Sequence, residues 1–378
     1  MLRVCHLVDA TGGDKAMWGK ERMVYQLMHA QRDEGRVEPS LAAFRPNFLS
    51  LTLQAEGFPV LLLDQTHRAL PVASLTRLAS MLRKDPNLIL HTHCYKANIL
   101  GRLVRSLASP RTTLISTCHG WCDDDRKLYI YNRLDRASSA MSDITVVCAP
   151  HMFDMLPTNR AVQYVPNAVP DAVPASPAAR LAARAKYGFS AGDFVAGALT
   201  RLTVLKGINN LIEAADTRIS QVSWAVAGGG PMESAVRDRQ AVDFRYVGVV
   251  NPSADFLNAI DVFVQPSLLE GMSLSLLEAM RASLPIVATR AGATEHAVTD
   301  GVEALLVPTG DARALAQAVQ RLYLDRQLAG RLAANARRRF EKDFRIQRQH
   351  DAYLGIYEQQ LRQVSYKVPF SGTSVRTS

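Results

Sequence analysis

The chain has 378 residues, more than one hydrophobic core usually serves, so two domains are the first expectation. Hydrophobic residues make up 48% of the chain, enough to fill two cores, and the formal net charge is +9. That charge favours an acidic partner: nucleic acid, an anionic lipid or a phosphorylated substrate. The surplus divides almost evenly between the two halves, and no zinc-finger or aromatic-basic RNA signature is present, which argues against nucleic acid.

The composition predicts a cytoplasmic protein. Five cysteines, an odd number and all before residue 150, make no disulfide framework. The first residues, MLRVCHLVDATGGD, are typical of a strand and a glycine turn rather than of a signal peptide. No apolar run reaches the ~18 residues that a membrane span requires.

Short apolar runs alternate with amphipathic helical stretches in the first half, which is typical of a parallel sheet. The predicted strands are LRVCHLV (2–8), VLLLD (60–64), LILHTH (88–93), TTLISTC (112–118) and ITVVCA (144–149).

A proline-rich segment, VPNAVPDAVPASPA, then predicts a linker. The pattern resumes after it with the strands DFVAGAL, SWAVAG, FRYVG, DVFVQP, LPIVAT and EALLVP. The sequence therefore predicts an α/β fold of two doubly wound, Rossmann-like parallel-sheet domains, 1–168 and 169–344. A helix over 345–362 follows, and residues 366–378 are expected to be a disordered tail.

The stretch SLLEGMSLSLLEAM places Glu270 and Glu278 at a strand-loop-helix junction, where parallel sheets bind ligands. Backbone amides near Gly271 would suit an anion, whereas the two glutamates would suit hydroxyl groups. A structural alternative stays open: Ser275 and Glu278 fit a capping box, and Glu270 fits a solvated loop residue.

Two cations in LTRLTVLKGINNLIEAA, Arg201 after a strand and Lys206 before a helix, suit a diphosphate. Two solvated basic residues are the alternative interpretation. AVAGGGPMESAV repeats the strand, glycine turn and helix at residues 228–231, where a tight turn alone is also a sufficient explanation.

These segments, taken in order, make the chain resemble the retaining nucleotide-sugar glycosyltransferases of family four, which share the two-domain GT-B fold. The resemblance covers most of the chain and is strongest over 195–310. It depends on the arginine-lysine segment, the glycine-proline turn, and EGMSLSLLEAM, whose two glutamates have seven residues between them. The resemblance implies two Rossmann-like domains that face each other across a cleft, with the C-terminal helix crossing back to the first domain.

The resemblance also implies roles for individual residues. Arg201 and Lys206 would bind and stabilise the departing diphosphate in place of a metal ion. Glu270 would face the hydroxyls of the transferred sugar, and Glu278 would accept hydrogen bonds from the ribose. The remaining donor-binding residues would be Gly271, Met272, Ser273, Leu274, Val247, Val249 and Gly229.

The first half resembles the family less closely and would bind the acceptor. TCHGW and ILHTHCYKANILG match family segments, which makes His119 a candidate at the anomeric carbon and His93 and Lys96 acceptor-side candidates. Satisfied structural histidines are the alternative. Gly12, Gly13 and Lys20 are further acceptor-side candidates, but DKAMW separates the two glycines from the Gly-Lys-Glu segment that contains Lys20, which departs from the family pattern.

We predict no metal and no cofactor beyond the nucleotide-sugar co-substrate. His91, His93, Cys94, Cys118, His119 and Cys122 have zinc-ligand chemistry but no known zinc spacing. Asp123 and Asp125 form an Asp-x-Asp string, which also suits the N-terminus of a helix.

The predicted function is retaining transfer of a sugar from a nucleoside-diphosphate-sugar, UDP- or GDP-linked, to an acceptor hydroxyl. The acceptor would be a sugar, a lipid-linked molecule or a glycan in the synthesis of surface polysaccharide, lipopolysaccharide or glycolipid. A nucleotide-sugar-binding protein without transferase activity is the alternative. An anionic membrane surface is a further candidate partner, with the protein peripheral on the inner face of the cell membrane.

Overall fold

The computed structural model describes residues 1–9, 17–63, 72–121, 126–157, 161–217, 219, 221–239 and 243–366. Four predictions lie wholly or partly outside these ranges: the paired glycines Gly12 and Gly13, Cys122 of the zinc-ligand set, the Asp-x-Asp string at 123–125, and almost all of the C-terminal tail.

The first half of the described chain forms a seven-stranded, fully parallel sheet. Its strands are β1 (Leu2–Val8), β2 (Val37–Ala43), β3 (Val60–Leu62), β4 (Ile89–His93), β5 (Leu114–Cys118), β6 (Ile144–Val147) and β7 (Val162–Tyr164). The spatial order is β3-β2-β1-β4-β5-β6-β7, so the direction of strand addition reverses between β1 and β4. Because crossovers are right-handed, this reversal places helices on both faces of the sheet.

The second half of the described chain forms a six-stranded parallel sheet. Its strands are β8 (Phe194–Leu199), β9 (Val222–Ala227), β10 (Phe244–Gly248), β11 (Val262–Gln265), β12 (Ile286–Thr289) and β13 (Leu305–Val307). The order β10-β9-β8-β11-β12-β13 reverses between β8 and β11. The predicted fold class of two doubly wound α/β domains is therefore confirmed.

Helices lie between these strands, and the last three helices follow β13. The helices are α1 (Gly19–Glu34), α2 (Phe48–Ala55), α3 (Val72–Lys84), α4 (Tyr95–Ala108), α5 (Arg126–Ser138), α6 (Pro177–Lys186), α7 (Ile208–Asp216), α8 (Glu233–Asp238), α9 (Ser253–Ala259), α10 (Leu274–Arg281), α11 (Thr294–Ala297), α12 (Ala312–Leu324), α13 (Arg326–Asp343) and α14 (Ile346–Tyr366). Within the described residues, none of the helices combines the length and the apolar character needed to cross a bilayer.

Strand β2 lies inside the first sheet, although the sequence analysis did not predict it and its sequence, VEPSLAA, contains a proline. Proline lacks the N–H that a central strand normally donates. Here β3 pairs only with the segment from Leu41 to Ala43 of β2. The amide of Leu41 donates to the Pro59 carbonyl on the β3 side, and Pro39 precedes that paired segment on the same side. The missing donor therefore costs no ladder hydrogen bond.

The C-terminal helix α14 packs on the first domain. The Tyr357 hydroxyl lies 2.7 Å from His91 Nδ1, and the Gln349 side chain donates to the Pro166 carbonyl at 2.8 Å. The proline-rich connection is also ordered by this helix, because the Val169 amide donates to Phe344 and the Ile346 amide donates back to Val169. The segment between the sheets is therefore partly buried rather than a free linker.

A buried ion pair joins α4 to α5. Arg102 Nη1 lies 2.7 Å from Asp135 Oδ1, and the two side chains are 0% and 1% exposed. Asp135 also accepts from the indole N–H of Trp121, in the segment after β5. A buried charge that loses its partner is strongly destabilising, so this pair fixes the position of the segment that follows β5.

We expect Arg102→Met to lower the free energy of unfolding by about 3–5 kcal/mol, because Asp135 keeps a buried charge without its cation. Urea-induced unfolding measures this difference. Arg105→Met is the matched control, because Arg105 lies on the same helix and forms a partly exposed ion pair with Asp143. Its loss should lower the free energy of unfolding by about 1 kcal/mol or less. Equal losses in the two variants would contradict the importance of the buried pair.

Candidate active site

The candidate site lies where the carboxyl ends of the two sheets meet. Asn167 Nδ2, in the segment between the domains, donates to the Met272 carbonyl at 2.8 Å. A Cβ atom at Gly271 would lie only 2.8 Å from the His119 carbonyl oxygen. The loop after β11 therefore touches the loop after β5 in the other domain, and a side chain at Gly271 would separate them.

Glu270 and Lys206 form a close, partly buried ion pair. Lys206 Nζ lies 2.6 Å from Glu270 Oε2, and the Glu270 side chain is only 5% exposed. Ser267 donates its hydroxyl to the other carboxylate oxygen of Glu270 at 2.7 Å. Both oxygens thus have partners, so the interpretation of Glu270 as a solvated loop residue is wrong.

Glycine holds these two loops against each other. Gly207, which follows Lys206, has φ +69°, and a Cβ there would lie 1.8 Å from the Pro266 carbonyl oxygen. The amide of Leu268 donates to the Leu205 carbonyl at 2.8 Å, so the backbones are also hydrogen bonded. The loop after β8 and the loop after β11 therefore form one rigid surface that presents Lys206 and Glu270 together.

Arg201 lies at the other end of the same loop, exposed to solvent. The Cζ atom of Arg201 is 5.7 Å from the ring centroid of Trp18, which immediately precedes α1 in the first domain. The same indole approaches Gly229, where an added Cβ would lie 3.6 Å from the ring and 2.9 Å from Val249. Arg201, Gly229 and the exposed Val249 therefore border one space with Trp18, whereas Val247 is partly buried.

Only 1% of the surface of Glu278 is exposed, and its side chain is paired with a residue from the first domain. Arg22 Nη2, in the first turn of α1, lies 2.9 Å from Glu278 Oε1 and donates to the Ser253 hydroxyl at 2.9 Å. The predicted capping box with Ser275 is wrong: Ser273 caps α10 by accepting from the Leu276 amide. Of the donor-loop residues, Met272 is buried, and so is Leu274.

One turn of α1 thus connects two of the candidate residues. The Arg22 amide donates to the Trp18 carbonyl at 2.9 Å, so the partners of Arg201 and Glu278 are adjacent on the same helix. Glu21 accepts from the Trp18 amide at 2.9 Å and fixes the start of that helix. Arg201, Lys206, Glu270 and Glu278 therefore converge on the face that α1 and the loop after β5 cover.

The acceptor-side candidates lie at the carboxyl ends of β1, β4 and β5. Lys20 Nζ donates to the Asp9 carbonyl at 3.0 Å, and Lys96 Nζ lies 3.2 Å from Asp9 Oδ1. His93 Nδ1 lies 3.3 Å from His119 Nε2. The structure therefore brings Lys20, Lys96, His93 and His119 to one sheet edge.

One ring nitrogen from each of His6, His91 and His93 lies within 4.8 Å of the other two, and all three side chains are buried. Both nitrogens of each ring already have hydrogen-bond partners: His6 contacts His93 and Gln31, and His91 contacts Tyr357 and Thr117. His93 completes the set through His119. The cysteines that we weighed with these histidines, Cys94 and Cys118, are free thiols.

Several residues of this site escaped the sequence analysis. Trp18, Arg22, His6 and Ser267 contact candidate residues, but the sequence analysis assigned none of them a role. The interdomain contacts of Trp18 and Arg22 had no signal in a single sequence, because they depend on how the domains meet. His6 had one: it is a polar residue near the carboxyl end of an apolar strand, as His93 is.

The comparisons with known proteins agree with this geometry. Residues 193–325 match the family model "Glycosyl transferases group 1", and residues 19–173 match "Glycosyltransferase Family 4". Together the two regions make up about three quarters of the chain. The chain therefore belongs to the glycosyltransferases, with a family 4 region followed by a group 1 region.

Two relatives from Escherichia coli illustrate the range of sequence identity and coverage. The chain is 30% identical over 161 residues to O-antigen chain mannosyltransferase C, covering 40% of this chain and 43% of the relative. It is 25% identical over 306 residues to UDP-Gal:alpha-D-GlcNAc-diphosphoundecaprenol alpha-1,3-galactosyltransferase, covering 75% and 78%. For two lipopolysaccharide core biosynthesis enzymes of Rhizobium meliloti, LpsE and LpsB, the match spans 52% and 34% of the relative's length. The activity of a whole relative therefore does not transfer to this chain by similarity alone.

Among solved structures, Anabaena Alr3699/HepE in complex with UDP-glucose superposes with a TM-score of 0.81 at 17% identity. The superposition covers 97% of this chain and 100% of that chain. At this level of identity the likeness shows the fold, and that fold is GT-B.

Gly207→Ala should destabilise the protein by at least about 2 kcal/mol more than Gly301→Ala, as measured by urea-induced unfolding. Both glycines have positive φ, +69° and +71°, so both substitutions cost backbone strain of about 1 kcal/mol. Only the Cβ at position 207 meets a carbonyl, whereas that at 301 meets open space. Equal losses of unfolding free energy in the two variants would show that the loop around Pro266 moves to accommodate the added methyl group.

Histidine burial predicts a pH-dependent stability. Burial lowers the pKa of His6 from 6.5 to about 4 and that of His119 to about 3. The unfolded chain therefore binds more protons than the folded one below pH 6.5, and the free energy of unfolding falls as the pH drops from 6.5 towards 4. Each such histidine contributes up to about 1.4 kcal/mol per pH unit.

We expect His6→Gln to flatten this dependence, measured by urea-induced unfolding at several pH values between 7.5 and 4.5. His29→Gln is the control, since His29 is a partly exposed histidine on the same domain. A His6→Gln protein with the wild-type slope would contradict the prediction.

Proposed function

We propose that the protein is a retaining glycosyltransferase that moves a sugar from a nucleoside-diphosphate-sugar to an acceptor hydroxyl. The observation that carries the proposal is the Lys206–Glu270 pair, which presents a cation and a carboxylate from one rigid surface opposite His119. A cation suits the departing phosphate, and a carboxylate suits the hydroxyls of a sugar. Side by side, the two groups match the two halves of a sugar phosphate.

The diphosphate would bind between Arg201 and Lys206. Arg201 is exposed and its nearest aromatic neighbour is Trp18, so its guanidinium is accessible to an anion. Lys206 would exchange part of its contact with Glu270 for a phosphate oxygen. Two fixed cations stabilise the negative charge that develops on the leaving group, and this supports a reaction that needs no metal ion.

Glu270 and Glu278 would hold the two sugars of the donor. When Lys206 turns to the phosphate, the buried Glu270 regains partners from the hydroxyls of the transferred sugar. Glu278 would accept from the ribose, with Arg22 holding its carboxylate in position. Gly229 and Val249 border the adjoining space, which suits the nucleobase of a UDP- or GDP-sugar.

The reaction would proceed on one face of the donor sugar. The bond from the anomeric carbon to the diphosphate oxygen breaks while the acceptor oxygen forms a new bond from the same side. The acceptor proton passes to the departing phosphate oxygen, so the configuration is retained without a nucleophile from the protein. Positioning and charge stabilisation would supply most of the rate.

We also propose that the acceptor belongs to surface polysaccharide or lipopolysaccharide synthesis, because several relatives bear such names. Lys20 and Lys96 would face that acceptor, together with Asp9, and the buried His93 would act through its contact with His119. A cytoplasmic protein peripheral to the membrane that carries a lipid-linked acceptor fits this proposal.

Lys206→Ala and Arg201→Ala should each lower kcat by about 10²–10³, because each removes one cation from the leaving group. Donor turnover is measured with purified protein and UDP- and GDP-sugars, by release of the nucleoside diphosphate. Arg237→Ala is the control, since Arg237 forms an exposed pair with Glu233 on α8.

Wild-type turnover by both variants would refute the leaving-group role. Binding of a donor by the wild-type protein without any turnover would favour the alternative, a nucleotide-sugar-binding protein. Turnover should persist in chelator-treated buffer, and the anomeric configuration of the product, read by NMR, tests retention.

A further inference from the structure

A continuous chain of side chains runs from α1 to the candidate site. The amide oxygen of Gln31 lies 2.9 Å from His6 Nε2, and His6 Nδ1 lies 2.9 Å from His93 Nε2. His93 Nδ1 in turn lies 3.3 Å from His119 Nε2. Gln31, His6 and His93 are each at most 1% exposed, so water does not compete for these contacts.

The amide oxygen of Gln31 decides which nitrogen donates at each hydrogen bond in this chain of side chains. An amide oxygen only accepts, so His6 must carry its proton on Nε2. A neutral ring has one donor and one acceptor, so His6 Nδ1 accepts from His93 Nε2. By the same rule, His93 Nδ1 accepts from His119 Nε2. The proton of His119 is thereby placed on Nε2, and its Nδ1 is left as an acceptor.

Burial keeps the imidazole rings of His6, His93 and His119 neutral. Burial lowers the pKa of His6 and His119, and it holds that of His93 well below its usual value. The ammonium of Lys20 further lowers the pKa of His119. Each imidazole therefore carries a single proton at neutral pH.

The last nitrogen of the chain lies unpaired beside the donor loop. His119 Nδ1 is buried and has no hydrogen-bond partner among the residues that the structure describes. The backbone of His119 meets Gly271, the residue that follows Glu270. A buried acceptor without a donor is costly, so a ligand that supplies a hydroxyl here gains a hydrogen bond that water does not already make.

We propose that Gln31 fixes, through His6 and His93, the proton of His119 on Nε2, so that Nδ1 accepts a hydrogen bond from one hydroxyl of the sugar substrate. Gln31, His6 and His93 act as positioning residues, and His119 is the group that touches the sugar. This inference rests on the proposed function for the identity of the ligand, but the tautomer relay itself does not.

Gln31 also contacts α14, through a tyrosine hydroxyl that can donate or accept. Gln31 Nε2 donates to the Tyr357 hydroxyl at 3.3 Å, and that hydroxyl lies 2.7 Å from His91 Nδ1. If the amide turned over, its nitrogen would face His6 and every hydrogen bond in the chain would reverse. His119 would then present an N–H where an acceptor is needed. Tyr357 therefore links the C-terminal helix to the chemistry of the site.

The test reads the His119 tautomer directly. Protein labelled with 15N at histidine gives imidazole resonances that separate protonated from unprotonated nitrogens, and the His119 set is assigned by its loss in His119→Asn. We expect wild type to show the proton on Nε2. Gln31→Met should shift a large share of it to Nδ1, and Tyr357→Phe should shift a smaller share.

Kinetics test whether His119 Nδ1 accepts a hydrogen bond from the sugar. In Gln31→Met, kcat/KM for the donor sugar should fall on the order of tenfold, the effect of one mispaired hydrogen bond. Binding of UDP and GDP, measured by thermal shift, should not change. Gln26→Met is the matched control, because Gln26 is a buried glutamine on the same helix outside the chain of imidazoles.

Three outcomes decide the proposal. An unshifted His119 tautomer in both Gln31→Met and Tyr357→Phe overturns the relay, and Tyr357→Phe keeps this decision open to experiment if Gln31→Met does not fold. A shifted tautomer with unchanged kcat/KM overturns the hydrogen bond to substrate. If wild type itself turns over no donor, the proposed function fails, and the tautomer spectra still decide the relay.

Discussion

Two buried carboxylates dominate the physical chemistry of this molecule. Glu270 and Glu278 are almost fully removed from water, and a buried carboxylate without a cation or hydrogen bonds is too costly to keep its charge. Lys206 pairs with the first from within the same domain. Arg22 pairs with the second from the other domain. The need to neutralise Glu278 therefore couples the contact between domains to the architecture of the candidate site.

Two parallel sheets make this coupling possible. The carboxyl ends of parallel strands lie at one edge, so residues far apart in the chain meet there. In the first sheet, His6, His93 and Thr117 come from three adjacent strands, and α14 adds Tyr357 from the far end of the chain. In the second sheet, the loops after β8 and β11 meet through Gly207. Each edge is thus a rigid surface, and the candidate site is the space between them.

The sequence was informative where a single segment carries the whole signal. The strand-loop-helix junctions predicted Arg201, Lys206 and Glu270 as candidate residues, because apolar runs, glycines and charges occur there in a fixed order. It missed β2, whose sequence contains Pro39, and it offered Ser275 as the cap of α10, where Ser273 provides the cap. Local pattern rules do not reveal which strand neighbours a proline or which serine the backbone reaches.

The sequence by itself determined two doubly wound domains and the residue types at the strand ends, because apolar periodicity and turn residues are properties of neighbouring positions. Only the tertiary structure decided which of those residues touch. It paired Glu278 with Arg22, placed Trp18 beside Arg201, and joined Gln31, His6, His93 and His119 in one directed chain. Such contacts cross from one domain or strand to another, and they arise only when the sheets are assembled and water is excluded from between them.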